Sequence, residues 1–256
     1  MTAELRVSRS GGVLEVVFDR PQARNAMTFA MYEGLHEACD RADDDEQVRV
    51  MVLRGAGDAF VAGTDIAQFQ SFRTGEDGVA YEARITRVVN RLEDVTVPTV
   101  AVVRGACVGG GLALAAACDL RVSAHSARFG VPIARTLGNC LSINSVSVLL
   151  AQLGPARTLD LLLRGRLLTG EQAYAAGFVS ELVADVELDD AAAALVTTLL
   201  EHAPLTLWAA KQAVTRLRRS ALPDGDDIVM RVWASQDFQE GVRAFTAKRP
   251  PAWQGR

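Results

Sequence analysis

Short apolar runs of β type alternate with longer segments of helical spacing over the first two-thirds of the chain. Two β-type runs, at Val7 and Val13–Phe18, flank Gly11-Gly12 and predict a hairpin closed by a two-glycine turn. Thr28 can cap a helix that runs to about Arg41. Further strands are predicted at residues 48–53, 100–103 and 120–123, and a long helix at 76–93. This alternation is typical of an α/β sheet with crossover helices.

The pattern becomes helical after Leu141. Helices are predicted at residues 142–153, 155–163, 169–176, 188–202, 204–219 and 226–247, with a single strand at 178–183. We therefore divide the chain into an α/β core, residues 1–198, and a helical C-terminal region, residues 199–256. The helices after residue 141 have largely apolar faces, and apolar surface of this extent is usually buried against another protein surface. We expect a homo-oligomer to provide it.

The composition is that of an ordinary globular protein. The chain has 256 residues, of which 49% are hydrophobic and 23% charged, and this excludes a disordered protein. The formal net charge is −4 and the basic residues are scattered, so we expect no nucleic-acid partner. An acidic run at residues 43–46 is predicted to form a solvated loop.

The cysteines and histidines lack the spacing of a metal site or a redox pair. They are Cys39, Cys107, Cys118 and Cys140, and His36, His125 and His202. We therefore expect no metal and reduced thiols, as in a cytoplasmic protein. The N-terminal residues lack a signal-peptide pattern, and the longest uncharged apolar run, residues 105–118, is too short to span a bilayer. We expect no membrane partner.

Two glycine-containing loops, residues 58–66 and 105–113, each follow a predicted strand and precede a helix. Neither matches a phosphate-binding motif. The glycines at positions 109–111 are explained either by tight packing of helix against strand or by an oxyanion hole. In the second case bare backbone N–H groups at a helix start hydrogen-bond to a developing oxyanion. The glycine runs alone do not decide between the two explanations.

Several motifs in order and at consistent spacing identify a family. They are Arg20-Pro21-x-x-x-Asn25-Ala26, Phe60-x-Ala62-Gly63-x-Asp65, Gly105-x-x-x-Gly109-Gly110-Gly111, Cys118-Asp119-Leu120-Arg121, Phe129-Gly130-x-Pro132, Thr169-Gly170 through Gly177-x-Val179, and Phe245-x-x-Lys248-Arg249-Pro250. With them the sequence resembles the crotonase (enoyl-CoA hydratase/isomerase) superfamily across nearly the whole chain.

The resemblance implies a spiral of ββα units closed by a helical C-terminal region, assembled as a trimer or a dimer of trimers. It also implies an acyl-CoA thioester as substrate, with coenzyme A as part of that substrate and no separate cofactor. The thioester carbonyl would lie between the backbone N–H groups of Thr64 and Gly110, which would stabilise an enolate. The oxyanion-hole interpretation of the glycines agrees with this.

The resemblance also implies positions for coenzyme A. It would lie along Ala23, Arg24, Ala26, Ala62, Asp65 and Ile66. Arg24 could pair with a phosphate of coenzyme A or stand as an exposed loop arginine, and Asp65 could orient its loop rather than transfer protons. Phe245 and Lys248 match tail positions that often touch the nucleotide of a neighbouring protomer.

The sequence departs from the family where hydratases carry two glutamates. Ala113 and Ile133 occupy those positions, and neither side chain transfers a proton. Since general acid–base catalysis contributes about 10²–10⁴-fold, we expect hydration to be weak or absent. The residues we consider in place of the glutamates are Arg135, Asn139 and Cys140 on the acyl side, and Tyr81 and Glu82 on the helix that overhangs the site.

Three functions remain open. The chain could be a lyase or isomerase that carries out another acyl-CoA reaction with a base still to be named. It could be a residual enoyl-CoA hydratase that uses another base. It could also be a non-catalytic acyl-CoA binder.

Overall fold

The computed structural model describes residues 4–256. Its strands are β1 (Leu5–Ser10), β2 (Val13–Phe18), β3 (Val50–Gly55), β4 (Thr99–Val103), β5 (Ala106–Val108), β6 (Leu120–Ala124), β7 (Arg128–Gly130), β8 (Leu167–Thr169) and β9 (Glu181–Val183). Its α-helices are α1 (Phe29–Asp44), α2 (Gly75–Asp94), α3 (Gly110–Ala117), α4 (Ile133–Thr136), α5 (Ile143–Arg164), α6 (Gly170–Ala175), α7 (Leu188–Glu201), α8 (Pro204–Arg219), α9 (Asp226–Trp233) and α10 (Gln236–Thr246).

The strands form two sheets. The larger sheet has the order β1-β2-β3-β4-β6-β9, and only its β1–β2 hairpin is antiparallel. The smaller sheet has the order β5-β7-β8, with β5 and β7 parallel and β7 and β8 antiparallel. Helices connect the parallel strands, as such connections require. The α/β architecture predicted from the alternating pattern is therefore confirmed.

Both faces of the larger sheet are covered, so its central strands are apolar throughout. Met51 and Leu53 of β3 face the main core, which α1, α2 and α3 also fill. Val50 and Val52 face the other side, where α7 covers them with Leu188 and other apolar residues. This two-sided burial explains why β3 and β4 stand out in the sequence as continuous apolar runs.

The structure corrects three of the predictions from the sequence. Residues 226–247 form two helices, because Ser235 ends one and caps the next by accepting the Phe238 N–H. The strands β5, β7 and β8 have three residues each, too few to show a pattern, and were not predicted. The acidic run is only partly a solvated loop: Asp44 and Glu46 are exposed, whereas Asp43 lies in the last turn of α1 and accepts hydrogen bonds from Arg91 and Thr96.

The helix α5 is long and apolar enough to cross a bilayer, and no other helix within residues 4–256 passes that test. Its backbone breaks at Gly154, where φ is 72° and ψ is 166°, and Pro155 follows. Val148, Leu149 and Leu161 on α5 are buried in the main core. The break separates the two helical segments that the sequence predicts on either side of residue 154.

The C-terminal helices share the main core with the rest of the chain. Trp233 of α9 is fully buried and lies against Gly78 of α2 so closely that a Cβ at position 78 would overlap the indole. Phe238 of α10 packs on the same indole, with ring centroids 4.6 Å apart. Both helices therefore hold α2 in place. The division of the chain at residue 198 stays a prediction.

A buried lysine links α8 to the start of β4 in the larger sheet. The Lys211 ammonium donates to Asp119 Oδ2 at 2.7 Å and to the Val97 carbonyl at 3.2 Å. The same carboxylate oxygen accepts the N–H and the hydroxyl of Thr99 at 2.7 and 2.8 Å. Asp119 thus braces the start of β4 and pairs with a side chain that is only 5% exposed.

We predict that Lys211→Met lowers the free energy of unfolding by about 3 kcal/mol, because it leaves the Asp119 carboxylate without its buried partner. Urea denaturation of both proteins measures the difference. The matched control is Arg216→Met, an exposed cation on the same helix, which should change stability by less than about 0.5 kcal/mol. Equal stability of Lys211→Met and the unsubstituted protein would show that the pair does not fasten α8.

Candidate active site

Two backbone loops meet at the edge of the main core. The segment that follows β3 pairs with β5, where the Val61 N–H donates to the Ala106 carbonyl and the Val108 N–H to the Val61 carbonyl, both at 2.9 Å. Farther along, a Cβ at Gly109 would lie 3.6 Å from the Gly63 Cα. Gly63 and Gly109 have φ of 109° and 57°, which glycine adopts without steric cost. The two loops therefore lie backbone to backbone.

Several N–H groups at this junction have no acceptor within residues 4–256. Two of them, one on each loop, belong to Thr64 and Gly110, and both residues line the same cavity. Gly110 is the first residue of α3, where helical N–H groups lack an internal partner. Thr64 is held from both sides, since the Met27 N–H donates to the Gly63 carbonyl at 2.8 Å and the Asp65 N–H to the Met27 carbonyl at 2.9 Å.

A hydroxyl cluster of Tyr32, Thr64 and Tyr81 lies against Gly110. The Thr64 Oγ1 is 2.8 Å from the Tyr32 hydroxyl and 2.7 Å from the Tyr81 hydroxyl. Burial raises the pKa of Tyr32 to about 12 and the pKa of Tyr81 well above its usual value. Both phenols therefore stay protonated at neutral pH. The cluster fixes the Thr64 side chain without adding charge.

Thr64 and Gly110 line a cavity of about 470 Å³. It brings together most of the residues that the sequence analysis proposed. Those in its lining are Ala23, Arg24, Ala26, Ala62, Thr64, Asp65, Ile66, Gly110, Ile133, Asn139, Phe245 and Lys248. A second, mainly apolar cavity of about 540 Å³ adjoins it and shares Ile133, Asn139 and Leu141.

Phe245 and Lys248 line the cavity of their own chain, and the contact with the nucleotide of a neighbouring protomer that the resemblance implies stays a prediction. The helix α10 folds back over the site because Phe238 packs on Phe69 and the Gln239 amide donates to the Phe72 carbonyl at 3.0 Å. Phe245 then lies at the end of α10, about half exposed.

Three of the proposed residues lie outside the cavity lining. The Arg135 Nε donates to the Gly165 carbonyl at 2.7 Å, so its guanidinium is bound to the α5–β8 connection. Cys140 lines the second cavity, and burial raises the pKa of its thiol to about 12, so it stays protonated. Ala113 is buried in α3. We find no acid or base among these three.

Asp65 and Arg24 hold the first loop. The Asp65 carboxylate accepts the Arg20 guanidinium at 2.7 Å and the Ala67 N–H at 3.0 Å. The Arg24 carbonyl accepts the Ala62 N–H at 3.0 Å, with Arg24 itself in the left-handed region at φ 49°. The contacts of Asp65 therefore stabilise the conformation of this loop.

Glu82 is the residue whose importance the sequence analysis did not establish. Glu82 is among the residues that line the first cavity, it is 3% exposed, and its Oε2 accepts the Ser142 N–H at 2.7 Å. Burial raises the pKa of Glu82 from 4.5 to about 7, although the hydrogen bonds from Ser142 act in the opposite direction. No motif in the sequence marks this position. Only its place on the helix over the site drew attention to it.

Gly110 is required by the hydroxyl cluster, because a Cβ there would overlap the Tyr32 hydroxyl oxygen. We predict that Gly110→Ala lowers the free energy of unfolding by about 1–3 kcal/mol. In a Tyr32→Phe background the cost should fall to less than half, since the nearest remaining atoms would be the Thr64 Oγ1 at 3.3 Å and the ring carbon that carried the hydroxyl at 3.6 Å. Urea denaturation of the four proteins gives the double-mutant cycle. The same cost in both backgrounds would contradict the prediction.

The pKa of Glu82 predicts a pH dependence of stability. With a folded pKa of about 7 and an ordinary value of 4.5, the unfolded chain loses its proton first as pH rises. The contribution of Glu82 to stability is therefore complete below pH 4.5 and declines up to pH 7, by roughly 3 kcal/mol in total.

Thermal unfolding between about pH 5 and 8 tests this. Glu82→Gln should gain stability over the unsubstituted protein as pH rises, while Glu76→Gln, an exposed glutamate on the same helix, should follow the unsubstituted protein. Parallel curves for Glu82→Gln and the unsubstituted protein would show that burial does not perturb this carboxyl group.

Comparison with known proteins places this arrangement in a family. The sequence model described as "Enoyl-CoA hydratase/isomerase" matches residues 8–256. A probable enoyl-CoA hydratase of Mycobacterium bovis is 32% identical over 256 residues, covering 98% of each chain. The 2,3-dehydroadipyl-CoA hydratase of Escherichia coli is 33% identical over 260 residues, covering 99% of this chain and 100% of that protein.

A solved structure agrees with these matches. The enoyl-CoA hydratase/carnithine racemase from Magnetospirillum magneticum superposes with a TM-score of 0.82 at 32% identity, covering 100% of this chain and 97% of the other. The similarity extends over both the α/β core and the C-terminal helices. The chain therefore belongs to the enoyl-CoA hydratase/isomerase family of the crotonase superfamily, whose members are acyl-CoA enzymes.

Proposed function

We propose that this enzyme binds an acyl-CoA thioester in the first cavity and stabilises its enolate through the N–H groups of Thr64 and Gly110. The observation that carries the proposal is the presence of two unpaired N–H groups, on adjacent loops, in the wall of one cavity. A carbonyl oxygen that accepts hydrogen bonds from both N–H groups would be stabilised most strongly when it carries the negative charge of an oxyanion. Each such donor contributes about 3–4 kcal/mol to a transition state of this kind.

The cavity lining supports a position for coenzyme A. Arg24 and Lys248 are the cationic residues of the lining and would pair with phosphate groups. The pantetheine portion would lie along the backbone of Ala23, Ala26, Ala62 and Ile66. Phe245 at the end of α10 would cover the nucleotide from within the same chain.

The acyl side of the cavity supports an apolar acyl group. Val131, Ile133, Leu137 and Leu141 line it, and the adjoining cavity is also mainly apolar. Ile133 occupies a position where hydratases of the family carry a glutamate, and Ala113 the other. Neither side chain can activate a water molecule, so the proposed reaction is one that proceeds through the enolate without glutamate-pair hydration.

We also propose a homo-oligomer, a trimer or a dimer of trimers, in the cytoplasm. Large apolar side chains are exposed on α5 and α8, including Leu159, Leu163, Leu205 and Leu217. A monomer with this much exposed apolar surface on neighbouring helices would be prone to association.

We predict that crotonyl-CoA binds about tenfold more tightly than S-butyl-CoA, a thioether that lacks the carbonyl oxygen but keeps the chain length. Two neutral hydrogen bonds from Thr64 and Gly110 account for that difference. Isothermal titration calorimetry with both ligands measures it on the unsubstituted protein. Equal affinities would contradict the proposed position of the carbonyl.

Crotonyl-CoA consumption, followed in the same samples, separates the alternatives. We expect binding with little hydration. Rapid hydration would favour a residual hydratase that uses another base. Binding with no chemistry on any acyl-CoA tested would favour a non-catalytic acyl-CoA binder.

A further inference from the structure

The first cavity contains a carboxyl group that no positive charge neutralises. Glu82 lies in the middle of α2, which α1, α3 and α9 surround, and it has no ion-pair partner within residues 4–256. Its identified contact is with Ser142, the residue that caps α5. Burying a charge without a cation costs free energy, so an ionisable side chain at this position indicates a function.

The other carboxylate of the cavity lining already has an ion-pair partner. Asp65 accepts the Arg20 guanidinium and a backbone N–H, and this keeps it in the first loop. Tyr81 is buried and its pKa is raised well above the usual value, so its phenol stays protonated and cannot act as a base near neutral pH. Among the cavity-lining residues, Glu82 is therefore the one available to take up a proton.

Glu82 lies beside the groups that would hold the thioester. It directly follows Tyr81, whose hydroxyl is 2.7 Å from the Thr64 Oγ1, and its charge is close enough to raise the pKa of Tyr32 and Tyr81. The titratable groups that face it are the phenols of Tyr32 on α1 and Tyr81 on α2, and the thiol of Cys140 before α5. All three stay protonated near neutral pH.

We propose that Glu82 is the catalytic acid–base group of this enzyme, removing a proton from the carbon next to the thioester carbonyl and returning it. The inference rests on the proposed function. In the forward step the C–H bond breaks, the proton moves to the Glu82 carboxylate, and the electron pair becomes the enolate held by the N–H groups of Thr64 and Gly110. In the reverse step the carboxylic acid returns a proton to the same carbon or to another carbon of the conjugated enolate.

The surroundings of Glu82 suit both steps. The Ser142 N–H at the start of α5 stabilises the carboxylate, and burial stabilises the carboxylic acid. The pKa of about 7 that results lies near neutral pH, where a group can serve both as acid and as base. One carboxyl group at the α2 wall would then replace the two that are missing at Ala113 and Ile133.

A purely structural role is the alternative. In that case Glu82 only fastens α2 to the start of α5 through Ser142. Replacement by glutamine would disturb this contact little, because the amide oxygen can accept the same N–H, whereas it abolishes proton transfer. The two roles are therefore distinguishable by one conservative substitution.

The test is deuterium exchange into 3-butenoyl-CoA, whose protons next to the carbonyl are acidified by both the thioester and the vinyl group. The unsubstituted protein in D₂O should incorporate deuterium, measured by mass spectrometry of the acyl-CoA. Glu82→Gln should exchange about 10²–10⁴-fold more slowly with an unchanged Kd for the ligand. Glu82→Asp should keep part of the rate, and Glu76→Gln on the same helix should keep all of it.

The pH profile supplies a second readout. The exchange rate of the unsubstituted protein should rise with pH through about 7 and then level, and the residual rate of Glu82→Gln should lack that rise. Exchange by Glu82→Gln at the unsubstituted rate, or binding by the unsubstituted protein without any exchange, would overturn the assignment of Glu82. Failure of the unsubstituted protein to bind 3-butenoyl-CoA would instead overturn the proposed function, and the assignment with it.

Discussion

The close approach of two backbone loops is the constraint on which the rest of the site depends. A Cβ at Gly105 would overlap the Asp58 carbonyl, and one at Gly111 would overlap the Val61 carbonyl, so these positions accept only glycine. The contact places Thr64 and Gly110 in the wall of one cavity. It also leaves room for the Tyr32 hydroxyl against Gly110, which in turn holds Thr64. Tight packing of the two loops therefore accounts for the glycines, and the proposed oxyanion hole would use the same geometry.

Most of the fold and the two loops could be predicted from the sequence, because local patterns determine them. Burial on both faces makes β3 and β4 continuous apolar runs, and the cap at Thr28 accepts the Met31 N–H as expected. The three-residue strands were missed because they are defined by pairing with distant segments and carry no periodicity of their own.

The sequence alone could not show what surrounds Glu82 or where α10 goes. The burial of Glu82 depends on Ser142, which is 60 residues away, and its ionisation depends on solvent exclusion by helices from both ends of the chain. The placement of Phe245 in its own chain depends on aromatic packing among Phe69, Trp233 and Phe238. Such contacts join segments that are far apart in the sequence, and no local pattern in the sequence indicates them.

If Ala113 and Ile133 stand at the two glutamate positions that the resemblance implies, the one buried carboxyl group in the cavity lining would limit the chemistry that the proposed site can perform. Adding water across a double bond needs a water molecule that is positioned and deprotonated, and Ile133 and Ala113 offer it neither a hydrogen bond nor a base. Moving a proton between carbons of an enolate needs no water, only one group that can hold the proton and a site that stabilises the anion. An apolar wall favours that reaction further, because it excludes the water that would compete for the enolate. The roles proposed for Thr64, Gly110 and Glu82 would thus favour proton transfer at carbon over hydration.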